Sequence, residues 1–481
     1  MSTQHDTSPY PSTPRYDLAV IGSGPAAVTA AMAARGRGKT VALVERGAYG
    51  GVCPNTGCMP SKLLISAAAT RADAGAGRFP GVTTTAGPVD MRVLIEDKRD
   101  MIAQLPGANA ALAKARGIET FQGTASFGGG AGGEPPVLSV AHADGSHTEI
   151  TAEHVLIATG AEPLLPAIDG LPDVDHLTST TAMDLDRVPE TLLVIGANAV
   201  GLEQAQTLSR LGAKVTVVDI APRITPQEDA AVSAALEEAL TEESISFRTG
   251  VTPVRVAPSG DQVVLTVDDG TGTSTLSAER LLVATGRRPV TDALDLEAAG
   301  LETGPAGEVV VDEHQRTTHP RIWAAGDVTG RARQFAYVAV AQAELAVANA
   351  FDGDGTGTLD YRHLPHVTFT SPAAAGVGLT EEQARESGRP YEVRVLPLAH
   401  IGRTMVSRRP HGMVKLVSDA ETDRLLGVHI VGDEAGEIIV AATYTLEAGF
   451  TVERLARTWS PFLTMGESLK IAAQRPATEP A

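Results

Sequence analysis

Apolar residues along the chain fall into short dense runs, separated by glycine-rich turns and by stretches of helical character. The pattern opens with YDLAVIGSGPAAVTAAMAARG. Leu18 to Ile21 form a continuous apolar run, as a strand buried on both faces does. Gly22-Ser23-Gly24-Pro25-Ala26-Ala27 then predicts a tight turn into an alanine-rich helix, and TVALVE a second strand ending at Glu45. The same order returns in TLLVIGANAVGLEQAQTLSRLGAKVTVVD: a strand, a turn from Gly196 to Gly201, a helix, and a strand ending at Asp219. Two further runs, HVLIATGAEP and RLLVATGRRP, end alike, and RIWAAGDVTG predicts a strand ending at Asp327. LPHVTFTSPAAAGVGLTEEQA and GMVKLVSDAETDRLLGVHIVG predict strands of an antiparallel sheet with helices. The chain is therefore an α/β protein with a repeated strand–turn–helix–strand unit and a C-terminal α+β part.

Each repeat carries the chemistry of a dinucleotide site, so two Rossmann-like domains are expected. Gly22 permits the first turn, Gly24 lets a pyrophosphate approach the backbone, and small Ala27 lets helix and strand pack closely. Glu45 stands where a carboxylate holds ribose hydroxyls. In the second repeat Gly196 and Gly201 keep the outer positions, and Asn198 replaces the middle glycine. Asn tolerates left-handed backbone, which preserves the turn. Asp219 favours a free ribose 2′-OH, hence NADH over NADPH, with Arg223 close enough in sequence to soften that preference. Two sites imply two nucleotides, most economically a hydride carrier feeding a bound flavin. A βαβ unit without ligand is the plainer alternative for the second repeat, and a helix cap the plainer role for Asp327.

A length of 481 residues predicts about three domains. The net charge of −19 disfavours nucleic acid and anionic membrane surfaces as partners. It leaves anionic cofactors open, because local backbone amides bind those. The N-terminal MSTQHDTSPYPSTPR lacks the apolar core of a secretory signal and reads as a short disordered tail, and no apolar run is long enough to span a membrane. A cytoplasmic protein is expected.

Cys53 and Cys58 are the only cysteines, set in GGVCPNTGCMPSK. A helix beginning near Cys53 would put the two sulfurs about one turn apart, where a disulfide closes with modest strain. A thiol near a helix N-terminus is the better thiolate. Structural zinc needs four ligands, and a disulfide closing so small a loop adds little stability. A redox-active dithiol is the favoured role.

GGVCPNTGCMPSK resembles the active-site segment of the class I flavin-dependent pyridine nucleotide–disulfide oxidoreductases, and the resemblance runs from about Tyr16 to Gln474. It implies FAD on the first nucleotide fold and NADH or NADPH on the second. Electrons would pass from nicotinamide to flavin to disulfide. Cys58 would then be the thiol beside the flavin and Cys53 the outer thiol. Lys62 would lie near the flavin and pair with Glu203, and Asp327 would bind the ribityl chain. Gly51, Ala125, Thr159, Gly160 and Ala336 join the expected FAD contacts, and Gly286 those of the nicotinamide nucleotide. The resemblance also implies a homodimer. The expected division is a tail at 1–15, an FAD domain at 16–160 and 286–355, a nicotinamide domain at 161–285, an interface domain at 356–475 and a tail at 476–481.

Family members that reduce disulfides carry a histidine base in an HPxxxE-like segment. Here SPFLTMGESLKIAAQ has Ser460 at that place and Met465 where the acidic partner would stand. This segment resembles that of the mercuric reductases, and Hg(II), soft and satisfied by two thiolates, needs no proton on reduction. Hg(II) bound transiently by Cys53 and Cys58 is thus the expected acceptor. The chain departs from that branch in lacking a C-terminal cysteine pair and an N-terminal metal-binding domain, and in having Phe462 in place of a tyrosine. A small organic disulfide or dithiol, another metal ion or a quinone remain as alternative acceptors, and a nucleotide-binding scaffold as a non-enzymatic alternative.

Overall fold

The computed structural model describes residues 14–330, 332–353 and 357–478. Most of the expected N-terminal tail and the end of the C-terminal one lie outside these residues. Of the flanks that are described, Arg15 already opens the first strand, and the Thr478 backbone N–H donates to the Val393 carbonyl at 2.9 Å.

The chain packs as two compact units. The first comprises 1–60, 96–164 and 287–359. Its sheet runs Glu119–Gln122, Val41–Glu45, Arg15–Ile21, His147–Ile157, Val137–Ala141, Thr124–Gly129, and Ile322–Ala324 also pairs with His147–Ile157. The pairings of Arg15–Ile21 are parallel, with Leu18 opposite Val41 and His154. Both faces of this strand are covered, which explains the unbroken apolar run. One covering helix, Pro25–Gly36, starts on proline, whose missing N–H would be unpaired there anyway. It buries Ala26, Ala27, Ala30, Ala31 and Ala34, small residues that let it lie close to the sheet. A Cβ on Gly326 would come within 3.2 Å of Ala339, in the helix Ala336–Phe351, and 3.6 Å of Ala26.

The second unit comprises 61–95, 165–286 and 360–481. It holds a parallel sheet ordered Ser246–Arg248, Lys214–Val218, Thr191–Ile195, Arg280–Val283, Leu177–Thr178. A three-stranded antiparallel sheet accompanies it, whose middle strand Gln262–Asp268 alternates in burial as a half-covered strand should. The expected C-terminal antiparallel sheet is present, with five strands in the order His366–Thr368, Ala373–Gly378, Leu425–Gly432, Met413–Asp419, Tyr391–Pro397. Ile438, Ile439 and Ala442 of the helix Ala435–Glu447 are buried in the core of this part of the chain.

Three local expectations change. The strand before Asp327 ends at Ala324, so Asp327 instead opens the short 3-10 turn Asp327–Thr329. The strand before Asp219 ends one residue earlier, at Val218. Asn198 is extended at φ −103°, so the positive φ of the second turn rests on Gly196 alone, at +114°. Among the described residues no helix is long and apolar enough to cross a membrane.

Candidate functional site

In the first unit the turn after Ile21 is built on one steric fact. Gly22 has φ +109°, and a Cβ there would lie 2.3 Å from the Ala158 carbonyl oxygen. Ala27 is fully buried behind the turn, while Gly24 faces open space apart from the Gly51 Cα. Glu45 is held at both oxygens: Oε1 accepts from the Gly47 N–H and Oε2 from the Ser23 hydroxyl, each at 2.6 Å. Ser23 in turn accepts from the Gly50 N–H at 3.0 Å. The hydroxyl of Ser23 thus ties the acid to the loop that leads into the cysteines. Sequence reasoning passed over Ser23, although a buried hydroxyl inside a glycine turn needs just such partners.

Gly51 has φ +69°, and a Cβ there would press to 2.7 Å from the Gly24 Cα. The cysteines do not share one helix. Cys53 sits in the single turn Val52–Thr56, Gly57 breaks the backbone, and Cys58 is the first residue of the helix Cys58–Gly75. Cys53 is half-buried and Cys58 exposed. Cys58 therefore has the helix-terminal position that favours a thiolate.

Glu45, Gly22, Ala125, Thr159 and Leu294 line one cavity of this unit. Thr159 donates from its hydroxyl to the Val290 carbonyl at 2.6 Å, and Gly160 follows at φ +71° with no atom in the way of a side chain. Ala336 opens its helix. Asp327 is half-buried, its partial burial raises its pKa, and the Arg287 guanidinium 3.9 Å away opposes that rise. Burial in turn lowers the Arg287 pKa, while the charges of Asp327 and Cys58 raise it. A glycine turn beside a carboxylate held at both oxygens is the kind of donor and acceptor set that receives a nucleotide's ribose. Asp327 thus stands beside a half-buried cation.

In the second unit Gly196 repeats the steric fact of Gly22, since its Cβ would lie 2.4 Å from the Ala284 carbonyl oxygen. Gly201 is stricter than Ala27: a Cβ there would meet the Gly196 oxygen at 1.9 Å. Asn198 caps the helix Ala199–Leu211 by accepting from the Ala199 N–H. Asp219 accepts from the N–H groups of Ala197 at 2.6 Å and Ala221 at 2.8 Å. Gly286 has φ +119° and open space beside it.

Lys62 and Glu203 do meet, with Nζ 2.8 Å from Oε2. The other Glu203 oxygen accepts from the Phe369 N–H at 2.9 Å, and the Phe369 ring lies 4.4 Å from the Lys62 ammonium. Phe369 was not anticipated; within HVTFTSP nothing but its aromatic character marks it. Glu203 is buried and the lysine half-exposed, so this pair is screened less than a surface pair. Ser460 is half-buried, Phe462 is exposed, and Met465 is packed in the core of the C-terminal part.

Residues 16–343 match the model of the family described as pyridine nucleotide-disulphide oxidoreductase, and 364–473 match that family's dimerisation domain. A mercuric reductase of Streptomyces lividans is 48% identical over 461 residues, 95% of this chain and 96% of that protein. Among solved structures, the Cu(II) complex of the HOCl-induced flavoprotein disulfide reductase RclA from Escherichia coli superposes with a TM-score of 0.85 at 29% identity, covering 95% of this chain and 99% of that one. LpdA from Mycobacterium tuberculosis gives 0.85 at 27% identity, with 96% and 99% covered. The chain belongs to the class I pyridine nucleotide–disulphide oxidoreductases and is an enzyme that depends on a flavin, FAD, and on NAD(P)H.

Proposed function

We propose that this enzyme passes electrons from a nicotinamide nucleotide through FAD to the Cys53–Cys58 pair, and from there to a small thiol-reactive acceptor. Within that class a redox-active metal ion is favoured, with Hg(II) and a low-mass disulfide as the further readings. The position of the cysteines carries the proposal. Both follow on a loop whose Gly50 N–H donates to Ser23, the hydroxyl that itself donates to the proposed ribose acid Glu45, and Cys58 heads a helix.

FAD, when bound, supplies the two-electron step between nicotinamide hydride and thiol. On this reading Glu45 holds the adenosine ribose, the Gly22–Ala27 turn admits the pyrophosphate, and Asp327 holds the ribityl hydroxyls. Ala125, Thr159, Gly160, Gly51 and Ala336 complete the cradle. Lys62, oriented by Glu203 and capped by Phe369, contributes a fixed positive charge toward the flavin. The Gly196–Gly201 turn with Asn198, Asp219 and Gly286 receives the nicotinamide nucleotide. The dinucleotide domains are proposed at 16–160 with 286–355 and at 161–285. An interface domain at 356–475 would form a homodimer, in keeping with the dimerisation-domain match.

The acceptor is argued from protons. Reducing a disulfide releases thiolates that need protons, and Ser460 supplies no group that could carry a proton to them at the family's usual place. A metal ion has no such need. Two Cu(II) ions take one electron each while the dithiol closes to a disulfide and gives its two protons to solvent, and soft Cu(I) is well held by sulfur. The Cu(II) complex of the RclA relative supports this class. Hg(II), which takes both electrons at once, is supported by the name of the Streptomyces lividans relative.

The test is NADH consumption by the purified enzyme with Cu(II), with Hg(II) plus excess thiol, and with small disulfides, each repeated on Cys58→Ala. Cys58-dependent turnover with any of these identifies the acceptor. Turnover that survives loss of Cys58 would sink the dithiol relay and point to a quinone or oxygen reductase.

A further inference from the structure

One polar side chain lies between the two cysteines and reaches back past the first of them. We infer that Asn55 is the positioning residue of the dithiol: its amide ties the turn at 48–51 to the single helical turn that carries Cys53, and so holds Cys53 in place for pairing with Cys58. This deepens the proposed redox role of the cysteine pair and rests on that reading.

Three observations carry it. First, backbone carbonyls from one turn converge on the Asn55 amide nitrogen. Nδ2 lies 2.8 Å from the Gly51 oxygen, 3.1 Å from that of Tyr49 and 3.4 Å from that of Ala48. A side-chain amide has two N–H groups, so the two shorter contacts take them and Ala48 is a weak third.

Second, the other end of the amide gains nothing from the site. Asn55 Oδ1 is buried and accepts from no protein group. Turning the amide over would set Oδ1 against the same carbonyl oxygens, so the orientation is fixed by the donors. A buried acceptor left unpaired costs stability. Asparagine thus serves this position through its N–H groups, which hold the turn.

Third, these bonds enclose the outer cysteine. The bond from Asn55 to Gly51 spans Val52, Cys53 and Pro54. A Cβ on Gly50 would lie 2.9 Å from Pro54 Cγ, and one on Gly57 3.1 Å from the Val52 carbonyl oxygen, so the segment is folded tightly on itself. Gly50 is held in turn by Ser23 at 3.0 Å. The backbone of Cys53 is therefore fixed from both sides, while Cys58 opens the next helix. Two thiols on a fixed loop have a higher effective concentration than two on a loose one, and their disulfide is correspondingly more stable against a small dithiol.

The experiment needs neither nicotinamide nucleotide nor the physiological acceptor. FAD-loaded enzyme is equilibrated anaerobically with reduced and oxidised dithiothreitol, the oxidised form in large excess. One S–S bond forms between Cys53 and Cys58, one breaks in the reagent, and the two thiol protons pass to the reagent's sulfurs. Samples are quenched in acid, alkylated and weighed by mass spectrometry. The chain has no other cysteine, so the mass reads this pair alone. Asn55→Ala and Asn55→Leu, which is close to asparagine in size, should each move the equilibrium about tenfold toward the dithiol, the scale of one or two lost neutral hydrogen bonds. Flavin content should match the wild type, because the Ser23 bonds to Glu45 and Gly50 remain. A change within twofold in both variants overturns the inference. So does a wild-type equilibrium in Asn55→Leu beside a shifted one in Asn55→Ala, because volume and not the N–H groups would then hold the pair. Loss of flavin from both variants would make Asn55 a folding residue and likewise overturn it. If the wild type itself forms no disulfide in excess oxidant, the redox reading of the pair falls and this inference with it.

Discussion

The two nucleotide turns start from the same steric device and end differently. Gly22 and Gly196 both take a positive φ against a carbonyl oxygen of a neighbouring segment, at 2.3 and 2.4 Å from where a Cβ would be. Both are followed by an acid gripped at two oxygens. But Glu45 is gripped partly through Ser23, whose hydroxyl also holds the Gly50 N–H, so the first acid is wired to the cysteine loop. Asp219 is gripped by backbone alone. The middle position differs too: Gly24 leaves its backbone open, whereas Asn198 places a side chain there and uses it as a helix cap. On the proposed assignment, the first turn keeps its nucleotide next to the chemistry and the second exchanges it.

The largest expected effect separates the two turns. Gly22→Val should abolish flavin retention, because strain at positive φ and the clash with Ala158 together exceed about 4 kcal/mol. Gly196→Val should keep its flavin and lose reduction by NADH while dithionite still reduces it. Flavin absorbance after gel filtration and stopped-flow reduction read both. If both variants lose flavin alike, the two turns are not independent sites.

Next in size, Cys58→Ala should lower acceptor turnover by at least ~10³-fold while flavin reduction by NADH stays within a few fold. Lys62→Met should slow flavin reduction by up to ~10²-fold, the scale of one lost electrostatic donor at a reacting centre. Glu203→Gln should give a smaller loss, since Gln still accepts from the Phe369 N–H. Smallest, Ser23→Ala should weaken FAD about tenfold, for one charge-assisted hydrogen bond is worth roughly 1.5–3 kcal/mol and Glu45 keeps the Gly47 N–H. Equilibrium dialysis of FAD measures it, and nicotinamide nucleotide binding should be unaffected.

Strand and turn positions were legible because they rest on short-range rules. An apolar run, a glycine and an acid at fixed spacing specify both Glu45 and Asp219. The pairing of Lys62 with Glu203 was legible only through resemblance, since 141 positions separate them and no local rule connects them. What escaped was decided by backbone detail. The helix break at Gly57 depends on φ −134° and ψ −103° at one residue, which no periodicity encodes. Arg223 follows Asp219 by four positions, and only the fold shows that its Nη2 donates to two carbonyls of its own loop while its buried Nε has no hydrogen-bond partner. Phe369 and Ser23 act through a backbone N–H and a buried hydroxyl, contacts that exist only once the chain is folded.

The central claim is that the cysteine pair forms a redox centre alongside the flavin. Anaerobic dithionite titration of the oxidised, FAD-loaded enzyme tests it most directly. The wild type should take up about four electrons per flavin, two for the flavin and two for the disulfide, and Cys58→Ala about two. A wild type that is fully reduced by about two electrons, the same as the variant, would contradict the relay.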